Sequence, residues 1–222
     1  MAKAVLNAET SAIVEKGDSK SEFLLEIAAK TFLEGGFAGT SVGEIARRAH
    51  ASKETFYSRY VSKEQLFEAV MHRLVGRFTS ELGAMMVPQD SPEKVLTAFA
   101  TKILERTLSD DGIALQKIVS MESKRFPAIA KLFFELGPNA LLRALGQYFE
   151  SQVAQNRLRS LDGETAAGHF MGILTSDLMM RRSLGVLVKK PTAHENNKRI
   201  QTAVDVFLRA YGPEQTRTKN GS

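Results

Sequence analysis

In residues 40–60, TSVGEIARRAHASKETFYSRY, two short amphipathic runs meet almost without a gap, and this junction constrains the fold more than any other stretch. The first run is marked by Val42, Ile45 and Ala46, the second by Phe56 and Tyr60, and only Ala49-His50-Ala51-Ser52 stands between them. An isolated helix of about eight residues is unstable in water, because nucleation costs more than so few hydrogen bonds return. Both runs must therefore lean on longer helices. A tight turn that crosses two short helices steeply is the helix-turn-helix arrangement, whose second helix can present its first residues to a DNA major groove.

The flanking sequence supplies the longer helices. Leu24, Ile27, Ala28 and Phe32 recur at helical spacing until Gly35-Gly36. Ser19 with Glu22, Ser41 with Glu44, and Ser62 with Gln65 are capping-box patterns that predict three helix starts. After Ser62, the residues Leu66, Phe67, Val70, Leu74 and Phe78 share one face until Gly83 and the Val87-Pro88 break. Ser91-Pro92-Glu93 then opens a helix to about Leu108, and Asp110-Asp111-Gly112 punctuates it. Helices are expected next over 113–124, 127–136, 138–155, 163–184 and 195–211, with joints at Gly137, Asp162, Gly185, Pro191 and Gly212-Pro213. No strand alternation competes, so the fold class is all-α. The expected organisation is a polar, mobile arm over 1–18, a helix-turn-helix head over 19–83, a helical bundle over 91–212 and a tail over 213–222.

Composition narrows the function classes. With 222 residues and 43% hydrophobic side chains, the chain can bury a real core. The absence of cysteine excludes disulfides and thiolate metal sites and fits a cytoplasmic setting. The most apolar stretch, 166–180, contains His169 and Asp177 and falls short of the about 20 residues a membrane helix needs, so no membrane association is expected. A net charge of +5 is compatible with a polyanionic partner without requiring one. His194-Glu195-Asn196-Asn197 starts like a zinc-protease motif, but Lys198 stands where its second histidine belongs. There is no P-loop, dinucleotide fingerprint or nucleophile elbow, so no catalytic residue, metal or cofactor is assigned and the chain reads as a non-enzyme.

The second short run carries donors for phosphates and base edges in Ser52, Lys53, Thr55, Tyr57, Ser58 and Arg59, while Phe56 and Tyr60 are left to face inward. Helix starts near Ser41, Ser52 and Ser62 offer unpaired N–H groups to phosphate, and Lys63 lies in such a first turn, where a cation opposes the helix dipole. Short helices around a tight turn also occur in plain bundles, so a helical ligand-binding bundle without DNA function stays open on pattern alone.

Phe32, Gly36-Phe37, Thr40-Ser41-Val42, Ile45-Ala46, Ala49, Ser52-Lys53, Thr55-Phe56-Tyr57, Tyr60, Ser62-Lys63-Glu64 and Leu66-Phe67 together resemble the amino-terminal domain of TetR-family transcriptional regulators. Residues 122–127 (ESKRFP), with Leu132-Phe133 and Gly137-Pro138, are similar to the AefR-like subgroup. The resemblance implies an all-helical homodimer that binds an inverted-repeat operator in double-stranded DNA and responds to a small-molecule effector. It implies a repressor, with activator and corepressor-type behaviour as alternatives. By position, Thr40, Ser52, Tyr57 and Lys63 resemble phosphate contacts, and Lys53 and Thr55 resemble base or phosphate contacts. Arg59 suits either a DNA contact or a surface ion pair. His50 stands where a turn glycine is usual. Glu54 replaces another glycine, and is expected either to pair with Lys53 or Ser58 or to accept from a cytosine amino group.

An effector cavity would draw on Phe99, Ile103, Met121, Phe126, Phe133, Phe134 and Met171, with His169 or Arg125 as polar handles, although helical spacing of Phe and Met also suits plain core. In the resembled family the last two helices meet their twofold mates in a four-helix bundle. Leu174, Leu178, Leu184, Ile200, Val204, Phe207 and Leu208 are the candidates for that face.

Overall fold

Side-chain caps set most of the helix starts. Ser41, Ser52, Ser62, Ser91, Asp162 and Thr192 each accept a backbone N–H from three residues ahead, a contact worth about 0.5–2 kcal/mol. The computed structural model describes the backbone of residues 2–160, 162–186 and 189–213, with side chains from Lys20 onward, and the regular structure of the described residues is helical throughout. The helices are α1 (Ala2–Gly39), α2 (Val42–Arg48), α3 (Lys53–Tyr57), α4 (Lys63–Met71), α5 (Arg77–Ala84), α6 (Pro92–Leu108), α7 (Asp110–Glu122), α8 (Pro127–Phe134), α9 (Ala140–Ala154), α10 (Gly163–Ser183) and α11 (Ala193–Tyr211). Wider π-helical turns occupy His72–Gly76 and Glu135–Asn139.

Several boundaries differ from expectation for identifiable reasons. Ser19 does not open a helix: α1 runs from Ala2 with no proline before Ser19, so the stretch read as an arm is helical backbone. Glu22 is taken up by Arg73 and Arg77 instead of capping. Asp110 and Asp111 begin α7 rather than punctuating, since carboxylates suit the positive end of a helix. Gly137-Pro138 does not interrupt the chain either, because the wide turn at Glu135–Asn139 accommodates the proline. Thr192 and Glu195 form a reciprocal capping box that starts α11 earlier than expected, and Glu195 of the abortive zinc-like motif serves there. The tail beyond Pro213 lies outside the described residues.

The chain divides into two units, one of Met1–Arg77 with Ala114–Leu136 and one of Phe78–Ile113 with Gly137–Ser222. Residues 114–136, which fall within the domain expected over 91–212, thus pack with the first unit. Leu115, Ile118, Val119 and Ile129 belong to the core that also holds Leu24, Phe32, Phe37, Ile45, Phe56, Leu66, Phe67 and Val70. Within this first unit the Phe67 ring lies 4.9 Å from Phe32 and 5.0 Å from Phe37, both near edge-on, and such pairs add about 0.5–1.5 kcal/mol each beyond burial.

The second unit packs α6, α9, α10 and α11 around Phe99, Phe149, Phe170 and Phe207. At the crossing of α9 and α10 two glycines touch: a Cβ on Gly163 would stand 2.5 Å from the Gly146 carbonyl oxygen. The chain leaving α5 is held by a polar clamp from α9 and just beyond it. Gln152 donates to the Pro88 carbonyl, Arg157 to those of Gln89 and Asp90, and Tyr148 to that of Asp90. Gln152 is fully buried, and burial pushes the Tyr148 hydroxyl up to about 12.

Candidate nucleic-acid interface

The turn between α2 and α3 is built from its own hydrogen bonds. The Ala51 N–H reaches back to the Ala46 carbonyl and the His50 N–H to that of Arg47, with His50 at φ 47°, which is a Schellman end in the left-handed region. Histidine thus occupies the glycine-favouring position with the turn preserved. Ile45, Ala46 and Phe56 are buried and fix the inner faces of both helices. The outer face carries Ser52, Lys53, Tyr57, Ser58 and Arg59 as exposed groups, with Thr55 half-buried and Tyr57 51% exposed despite its ring. An aromatic ring with a hydroxyl tip left half in solvent is a contact available to a partner.

Local bonds already engage several of these side chains. The Ser52 hydroxyl caps α3 and lies 3.1 Å from the Thr55 hydroxyl. The Ser58 hydroxyl and the Arg59 guanidinium both donate to the Thr55 carbonyl, each at 3.1 Å. Arg59 therefore folds back on its own helix rather than joining a surface ion pair. Glu54 finds neither partner expected of it as a hydrogen-bond donor. Its own backbone N–H, then the Ser52 hydroxyl, hold its carboxyl below the usual range, with the Lys53 charge adding less.

Two expected contacts lie inward. Thr40 is 2% exposed and its hydroxyl donates to the Thr31 carbonyl, so the side chain is a fastening within the head. Lys63 directs its ammonium to the carbonyls of Phe37 and Thr40, at 3.0 and 3.1 Å, and over the Phe37 ring at 4.5 Å. One of its three N–H donors is left for another acceptor. Ser41 caps α2 and remains exposed. Arg47, at the end of α2, is an exposed cation that sequence reasoning passed over; its place in the last helical turn next to the junction was the available signal.

The residues put forward for an effector cavity are divided between the two units. Met121, Arg125, Phe126, Phe133 and Phe134 belong to the first unit, whereas Phe99, Ile103, His169 and Met171 belong to the second. Phe99 and Ile103 are core residues; Met121 and Phe134 are exposed; Arg125 lies over the Phe126 ring. His169 is exposed and bonded to the Tyr211 hydroxyl. An open cavity of about 540 Å³ stands elsewhere, between Arg159, Asp205, Leu208, Arg209 and Pro213. The candidate dimer face is largely buried within the protomer. Leu174, Leu178, Ile200, Val204 and Phe207 are consumed by the core of their own unit, and Leu208 packs partly against it. Of that set only Leu184 is strongly exposed, and the apolar side chains left outside on α10 and α11 are Ile173, Met180 and Val206.

Among the described residues, no helix is long and apolar enough to cross a membrane. Residues 24–70 match the family model for bacterial regulatory proteins of the tetR family, and residues 94–213 match that of the AefR-like transcriptional repressor C-terminal domain. A solved structure from Mesorhizobium loti MAFF303099, assigned to the TetR-family transcriptional regulators, superposes with a TM-score of 0.78 at 22% identity, covering 88% of this chain and 98% of that one. The flavonoid-responsive regulator FrrA aligns with a TM-score of 0.71 at 29% identity, over 89% of this chain and 100% of its own. The DNA-binding transcriptional repressor TetR of Mycobacteroides abscessus is 31% identical over 70 residues, which are 32% of this chain and 37% of that protein. The chain thus matches the curated relatives over 34–42% of their own length.

Proposed function

Because the chain belongs to the TetR family of bacterial regulators, we propose that it is a sequence-specific repressor that binds an inverted repeat in double-stranded DNA as a homodimer and releases it when a small molecule binds. The observation that carries this reading is the pair α2 and α3, held by buried Ile45, Ala46 and Phe56, with Lys53, Thr55, Tyr57 and Arg47 left at the outer surface. Repression rather than activation is favoured by the matched AefR-like repressor domain and by relatives named as repressors. A mainly apolar, aromatic effector is favoured by the likeness to a flavonoid-responsive regulator. The effector acts by binding the DNA-incompetent arrangement more tightly, and a tenfold difference per site corresponds to ~1.4 kcal/mol of coupling.

The dimer uses the stripe that the protomer leaves outside. Ile173, Met180 and Leu184 fall at i, i+7 and i+11 on α10 and at its end, so they share one face of that helix. A twofold dimer of this kind presents two equal recognition helices, which read half-sites about one helical turn apart, 34–36 Å, or a multiple of it. Selection from random duplexes by the whole protein tests the reading: enrichment of a dyad supports it, and enriched sequences without any dyad, or no enrichment, count against it. Relief of binding by flavonoid-like aromatics, against aliphatic controls, tests the effector class.

A further inference from the structure

The link between α1 and α2 is held by side chains from two other elements, α4 and α7. Gly36, at φ 72° and ψ 172°, breaks the helix and turns the chain, and Phe37 to Thr40 then lead directly into Ser41, the cap of α2. Lys63 takes the carbonyls of Phe37 and Thr40. A residue distant in sequence takes a backbone amide of the same link: the Ala38 N–H donates to the Glu122 carboxylate at 2.9 Å. Beside it the Phe126 ring meets Phe37 edge-on at 4.9 Å, and Arg125 lies over Phe126. An ammonium on the carbonyls and a carboxylate on the amide each match the polarity of the backbone group they hold.

From this arrangement we infer that Glu122 is a positioning residue for DNA binding: it never reaches the DNA but fixes the start of α2, and through the short junction the pose of α3. The inference rests on the DNA-binding reading. Glu122 lies at the end of α7, inside the segment whose sequence matches the C-terminal domain model, yet its carboxylate serves the head. Because α2 has only seven residues and depends on tertiary support, an untied Ala38 lets the whole helix-turn-helix shift as a body. Displacement by a fraction of an ångström is enough to spoil several base contacts together.

The test compares Glu122→Ala with Glu122→Gln. Both remove one negative charge, so any long-range electrostatic gain is common to the two, but only the glutamine keeps an oxygen that can accept from Ala38. With a duplex selected by the unmodified protein, Glu122→Ala is expected to bind about tenfold more weakly, as loss of a charge-assisted hydrogen bond allows, and Glu122→Gln to recover most of that. The dependence of affinity on salt should be the same for all three, because no phosphate contact is lost. Hydrogen exchange at the Ala38 amide, measured without DNA, should accelerate in Glu122→Ala and not in Glu122→Gln. Equal DNA binding by the two variants, a changed salt slope, or unchanged Ala38 exchange would overturn the inference. If the unmodified protein selects no duplex, the DNA reading fails, and the exchange measurement still judges the tie between Glu122 and Ala38.

Discussion

His50 sits in a backbone region where a Cβ crowds the following carbonyl, at a cost of roughly 1–2 kcal/mol for an ordinary side chain. Glycine removes that cost but widens the unfolded ensemble by about 0.4–1 kcal/mol. His50→Gly is therefore expected to stabilise the protein by up to about 1 kcal/mol, seen as a higher midpoint of thermal or urea unfolding; a lower midpoint would mean the imidazole makes a contact that matters more. Lys63 leads to a different expectation from that of a free phosphate contact. Lys63→Met keeps the apolar stem over Phe37 but leaves two carbonyls without their donor, so unfolding should become easier by about 1–3 kcal/mol even in the absence of DNA. Unchanged stability together with weaker DNA binding would restore the simple phosphate role. Ser41 and Ser62 could be read as caps directly, since each precedes an apolar run and has a glutamate or glutamine three residues on. Ser19 shows the limit of that code: the same spacing falls inside a continuous helix and marks no start, and the arginines that meet Glu22 show what the glutamate is for.

The two glycines at the crossing of α9 and α10 let the backbones approach more closely than any side chain allows. In Gly163→Ala the new methyl would meet backbone on one side and the Glu150 carboxylate at 2.9 Å on the other, so the helices must separate. A loss of about 1–3 kcal/mol in unfolding free energy is expected, with α10 pushed outward. A fully stable Gly163→Ala protein would show that the crossing yields easily to an added methyl group. Helical periodicity found the apolar stripes of α10 and α11 but could not say which neighbour covers each. Leu174, Leu178, Val204 and Phe207 form the more continuous stripe, and the protomer's own core takes it. The weaker stripe of Ile173, Met180 and Leu184 is what remains, and a period of 3.6 residues carries no information about that choice. The clamp on Pro88, Gln89 and Asp90 was invisible for a related reason, since its donors come from 58 to 69 residues further along the chain.

For the assembled protein, Met180→Asp with Leu184→Asp should yield monomers on sedimentation that no longer hold a dyad, because a carboxylate cannot be buried in an apolar contact without a partner. Dimers of undiminished strength would place the contact on another face. Acid sensitivity has a definite sign. Arg199 grips both oxygens of Asp177, linking α10 and α11, and this hydrogen bonding holds the Asp177 carboxyl below its usual range, with partial burial opposing and the Arg199 and Arg181 charges assisting. A depressed carboxyl contributes stability that is complete above its unfolded value of about 4 and is lost as pH falls through the lower folded value. Asp177→Asn should flatten that part of the acid-unfolding curve while lowering stability at pH 7 by no more than about 1 kcal/mol, since the pair is half exposed. An unaltered acid limb would mean another carboxylate dominates it.

The sharing of one core by residues before Arg77 and residues from Ala114 to Leu136 bears on how such regulators can be recombined. A single crossover after α5, at the joint between 83 and 91 that the linear domain map gives, would leave a head with foreign residues at Leu115, Ile118, Val119 and Ile129. Grafting this head onto another sensor therefore requires two breakpoints, with 114–136 travelling as cargo. Gene fusions made with one should give insoluble or inactive hybrids, and shuffled libraries should return survivors only where both segments descend from the same parent.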